Sequence, residues 1–103
     1  MLSDYEMSIR NALIRFIHKF INCCETSICS DYELDTDSYV IYVECYPYQR
    51  EIVSDAIENA LDKNFIPYRA ILSNNQSPCI HKFIIKREFV ENILVLEKMK
   101  KGG

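Results

Sequence analysis

Glycine is nearly missing from this chain: the 103 residues contain two, Gly102 and Gly103, side by side at the end. No interior turn can therefore use glycine to reach positive φ, and no glycine-rich phosphate cradle of the Walker or dinucleotide type can form. Tryptophan is absent, and histidine is limited to His18 and His81, which leaves little for neutral-pH proton transfer. Both are read as packing residues, one in a helix and one on a strand face with Phe83 and Ile85. The five cysteines, Cys23, Cys24, Cys29, Cys45 and Cys79, contain no C-x-x-C pair. A tetrahedral zinc site usually needs two such closely spaced pairs, so no metal and no cofactor are assigned. Cys24 and Cys45 are expected to act as small buried hydrophobes, and a link from Cys23 or Cys24 to Cys29 stays open.

Long apolar runs are missing too, because Arg15, His18 and Lys19 interrupt the most hydrophobic segment before it reaches the roughly 20 residues that cross a bilayer. The opening MLSDYEMSIR carries acids where a secretory signal would be basic. No membrane association is expected, and a cytoplasmic location with reduced thiols is the expectation. Half of the residues are hydrophobic (49%) and 26% are charged, which suits a folded chain. At this length one domain is expected over 1–103, with 99–103 as a flexible tail.

Periodicity supplies the elements. Ser3 and Glu6 form a capping box with Leu2 and Met7 as its staple, and Ile9, Leu13, Phe16, Ile17, Phe20 and Cys24 then recur at helical spacing. Ser38–Cys45 is a strand rich in β-branched and aromatic residues, with a second strand near Ile28 to Leu34 as its optional partner. Pro47 opens a helix whose stripe runs through Val53, Ile57 and Leu61, and Asn64 is the residue expected to end it in the left-handed conformation. Phe65–Ser73 and Cys79–Lys86 flank the turn-rich Asn74–Pro78 and predict a hairpin. A last helix carries Phe89, Val90, Ile93 and Leu94. The expected fold is α+β, helix-strand-helix-strand-strand-helix, with a mixed three- to four-stranded sheet packed against helices. In it the Tyr39 and Phe65 strands run parallel across a right-handed crossover. The strand-helix-strand-strand order is similar to that of KH and Alba-like nucleic-acid-binding domains. The GXXG loop of a KH domain has no glycine to be made from here, and Alba-like chains are basic.

Charge then directs the functional reading. Residues 1–52 hold four Lys or Arg against nine acids, a balance of −5, while residues 53–103 hold eight against six, or +2. Asp31, Glu33, Asp35 and Asp37 fall on alternate positions, so an extended backbone would project all four carboxylates to one side about 6.5–7 Å apart. Their D-x-E-x-D-x-D spacing is not a calcium loop, because Thr36 stands where the turn glycine belongs and Tyr42 where the bidentate glutamate belongs. The acids and the tyrosines Tyr32, Tyr46 and Tyr48 are the candidate surface for a protein partner with a basic face. The expected function is a non-enzymatic interaction module, not an enzyme. Fourteen isoleucines and seven tyrosines beside almost no glycine resemble the composition of small proteins from AT-rich viruses or mobile elements. That resemblance implies an accessory protein acting in a host cytoplasm. The alternative is nucleic-acid binding by a basic rim of Lys82, Lys86, Arg87, Lys98, Lys100 and Lys101, with Tyr68 or Phe83 as stacking platform. A two-fold homodimer, formed through leftover surface of the first helix, is also expected.

Overall fold

The computed structural model describes residues 4–21, 26–72 and 79–102. Helix α1 (Asp4–Ile21) leads to strands β1 (Thr26–Glu33) and β2 (Ser38–Cys45). A 3-10 turn, Pro47–Gln49, then opens helix α2 (Arg50–Lys63), and β3 (Arg69–Leu72), β4 (Cys79–Lys86) and α3 (Arg87–Gly102) complete the chain. The optional strand is therefore real. The helical backbone extends through Gly102, so residues 99–102, expected as tail, continue α3. The capping box at Ser3, the Asn74–Pro78 loop, Cys23 and Cys24 lie outside the described residues.

The architecture is α+β, but the sheet is antiparallel throughout, not mixed. Its order is β1-β2-β4-β3. The strands β2 and β3 do point the same way, as a strand-helix-strand unit requires, yet β4 inserts between them. The antiparallel return strand thus takes the central position that a parallel neighbour would have filled.

Odd positions of β2 and β4 face the three helices. Tyr39, Ile41, Val43 and Cys45 meet Cys79, Phe83 and Ile85 in one core with Leu13, Phe16 and Ile17 of α1, Val53, Ile57 and Leu61 of α2, and Val90 and Ile93 of α3. Each such side chain contributes about 1.5–3 kcal/mol by leaving water. Arg10 ties α1 to the β1 edge, donating from Nη2 to the Ser30 carbonyl while the Ser30 hydroxyl donates back to the Arg10 carbonyl.

Lack of glycine leaves its mark at two positions. Asp37 and Phe65 sit at φ 50° and 56°. Asn64, expected to take that role, is at φ −98°, and its side chain instead donates to the Ala60 carbonyl at 2.7 Å, which passes the left-handed position one residue on. Phe65 is 89% exposed, so its ring contributes little packing to offset the backbone strain. Phe65→Gly is therefore expected to stabilise the protein by about 1 kcal/mol, read as a rise in the urea midpoint with unchanged slope. A lower midpoint would show that the ring stabilises the fold.

Candidate functional site

The four acids do not form the straight comb that an extended chain would give. Strand β1 stops at Glu33, and Leu34–Asp37 is a turn, so the row breaks in the middle. Asp31 and Glu33 project from the face of β1 turned away from the helices, and Asp35 is exposed in the turn. Asp37 does something else. Its backbone N–H donates to the Leu34 carbonyl at 3.2 Å, and the Arg87 N–H donates to its own carbonyl at 3.0 Å. Its carboxylate accepts the Tyr32 hydroxyl at 2.5 Å and pairs with Arg87 at 3.2 Å. The hydrogen bond to Asp37 is also the main reason the Tyr32 hydroxyl is pushed above its ordinary pKa. Asp37 thus positions the turn instead of presenting charge.

Tyr32 is removed from the contact surface by parity. Alternation along β1 sends the acids outward and Tyr32 inward, where its ring packs 5.0 Å from Tyr39. Tyr46 and Tyr48 are exposed and stacked at 5.8 Å, but they follow Cys45 and so lie at the opposite end of the sheet from the acidic turn. Tyr48 borders a separate cavity of about 500 Å³ walled by Pro47, Arg50 and Ile52. The predicted partner surface is therefore split between two ends.

At the turn end lies a groove of about 510 Å³. Its apolar walls come from Pro67, Tyr68, Ile84 and Phe89, and its charged rim from Glu33, Glu88, Arg69 and Lys86. Tyr68 reports the local field. Its hydroxyl donates to Glu58 at 3.3 Å, and its pKa is pushed up to about 12 by burial first and then by the charges of Glu58 and Asp62. Beside the groove stands Leu34, 79% exposed at the turn between Glu33 and Asp35. In the sequence Leu34 is the one aliphatic residue among the acids of this segment, and that isolation is the available signal.

The basic rim keeps its lysines but not its stacking rings. Phe83 is fully buried, Tyr68 is held by Glu58 and packs against Phe83, and Arg87 is paired with Asp37. Neither proposed stacking ring is presented to solvent as a platform. Lys82 and Lys86 remain on the outer sheet face, with Lys82 lying 5.8 Å from the Tyr42 ring centre. Lys98, Lys100 and Lys101 continue the helical backbone of α3, and their side chains lie outside the described set.

His18 is exposed on α1, contrary to its expected packing role, while His81 is buried on the inner face of β4. Cys45 and Cys79 are thiols opposite each other on β2 and β4, and Cys29 is an exposed thiol on β1. Among the described residues no group of three or more His, Cys, Asp or Glu could hold a metal ion, and no helix is long and apolar enough to cross a membrane. The chain is thus a three-helix, four-stranded antiparallel α+β fold carrying a groove whose rim holds two acids and two bases. Compared with family models, with curated proteins and with solved structures, the chain matches none.

Proposed function

We propose that this protein is a non-enzymatic interaction module that engages a basic segment of a protein partner at the turn end of its sheet. The observation that carries the reading is Leu34, a large apolar side chain held in water between Glu33 and Asp35 on a turn fixed through Asp37 to Arg87. Burying such an exposed leucine releases about 2 kcal/mol, and a turn already fixed loses little entropy on binding. Glu33 and Glu88 at the groove rim, with Asp31 and Asp35 nearby, supply the field that attracts Lys and Arg. Arg69 and Lys86, which share the rim, favour a partner segment that also carries an acid. The Tyr68 and Phe89 walls suit the aliphatic stems of basic residues.

The test is partner capture by wild type, by Leu34→Ala, and by the triple variant Asp31→Asn, Glu33→Gln, Asp35→Asn, each at low and high salt. Leu34→Ala should weaken capture about 10-fold or more at both salt concentrations, as expected for an apolar anchor. The triple variant should bind more slowly and lose most of the salt dependence. Equal recovery of the same partners by all three proteins would contradict the reading.

A further inference from the structure

The face of the sheet turned away from the helices has a charge order that matches its own rotated copy. Acids on this face belong to β1 and β2: Asp31, Glu33 and Glu44. Bases belong to β4 and β3: Lys82, Lys86 and Arg69. Three negative charges thus occupy one half and three positive charges the other. The register fixes the row across the middle as Asp31, Val40, Ile84, Arg69, which reads acid, apolar, apolar, base. The next row is Cys29, Tyr42, Lys82, Ile71.

We propose that this face is a two-fold interface with a second copy of the same chain. A two-fold axis lying along the strands, midway between β2 and β4, maps β1 of one copy over β3 of the other and β2 over β4. Asp31 then faces Arg69 of the second copy and Tyr42 faces Lys82, each contact occurring twice, while half-buried Ile84 lies over Val40, which its own chain already buries. The strands of the two sheets run nearly aligned, the common geometry of stacked sheets. A two-fold axis across the strands would lay β1 on β1 and place acid on acid, so charge selects one arrangement of the two. Three strands of eight residues and one of four, about 4.8 Å apart with about 3.3 Å per residue, give a face of roughly 440 Å² per copy, at the low end for specific association. An interface this small is expected to be weak and reversible. Its location differs from the α1 flank expected from sequence, because α1 turns its apolar stripe into the core.

The inference stands apart from the partner reading, since no other protein enters its test. Glu33 and Lys86 wall both the groove and the interface, so a second copy and a basic partner exclude each other.

Sedimentation velocity over a concentration series decides the matter. Wild type should show a monomer–dimer equilibrium at low salt, weakened at roughly 0.5 M salt. Asp31→Arg alone and Arg69→Asp alone should each weaken it about 10-fold or more, because each sets like charges face to face twice. Mixing the two variants should restore dimers, as every cross-contact then joins an arginine to an aspartate. Both side chains are exposed, and circular dichroism checks that each variant folds. Asp31→Lys with Arg69→Glu gives a second crossed pair if either does not. Wild type that stays monomeric at low salt, an Asp31→Arg protein that dimerises as well as wild type, or a folded mixture that forms no heterodimer would each overturn the proposal.

Discussion

Phe83→Ala is expected to lower the unfolding free energy by about 3–5 kcal/mol, much of what a chain of this size has to lose. Phe83 is fully buried on β4, the strand hydrogen-bonded on both sides, opposite Ile41 and 6.1 Å from the Tyr68 ring. Neighbours anchored in two strands cannot close over the space it leaves, so a cavity remains beside the lost transfer energy. Urea denaturation measures the loss directly, and Tyr48→Ala, with a side chain 76% exposed, should change stability by less than about 0.5 kcal/mol. A Phe83→Ala loss below about 1 kcal/mol would mean that the inner face of the sheet is not the packed core described here.

The second large effect concerns acid. His81 is buried on the same face, and neither ring nitrogen makes a hydrogen bond of ordinary geometry. Burial holds its pKa below the usual 6.5, with only partial compensation from the Arg50 backbone and the charge of Glu58. Above pH 6.5 the imidazole is neutral in both folded and unfolded chains and adds no pH dependence. As the pH falls through 6.5 the unfolded chain takes up a proton that the folded chain refuses, so stability drops by up to about 1.4 kcal/mol per pH unit. The drop continues until the folded pKa is reached. His81→Leu should flatten the limb between about pH 6.5 and 5, above the range where most carboxylates titrate. An unchanged slope in that variant would show that another group sets the acid limit.

Much of the local structure was legible in the sequence. Strands β2 and β4 begin and end where alternation and flanking turn residues put them, because a period of two with one buried face leaves little freedom in register. Pairing was not legible. Alternation says which face a residue takes but not which strand lies beside it, and the loop between β3 and β4 allows β4 to fold back on either side of β3. With β3 only four residues long and already codirectional with β2, the antiparallel β4 fills the space between them.

At the candidate site the failure is instructive in its parity. A surface that joins Tyr32 to Asp31 and Glu33 asks one strand to turn neighbouring side chains the same way. Once Asp31 and Glu33 face water, Tyr32 must face the helices, and its contact with Tyr39 shows it. The comb failed at Asp37 for a different reason: a turn without glycine needs a residue tolerant of positive φ, and aspartate accepts that conformation at lower cost than most. Arg87 then holds its carboxylate. Leu34 stands out only once the turn closes and leaves it 79% exposed.

The most direct test is an NMR titration of ¹⁵N-labelled protein, kept dilute enough to be monomeric, with a short peptide alternating arginine and leucine. Amide shifts should concentrate at residues 31–36, 68–69 and 88–89, fade as salt is raised, and shrink throughout this set in the Leu34→Ala variant. Shifts centred instead on Tyr46, Tyr48 and Ile52, or none at all at low salt, would contradict the assignment of the acidic turn as the contact surface.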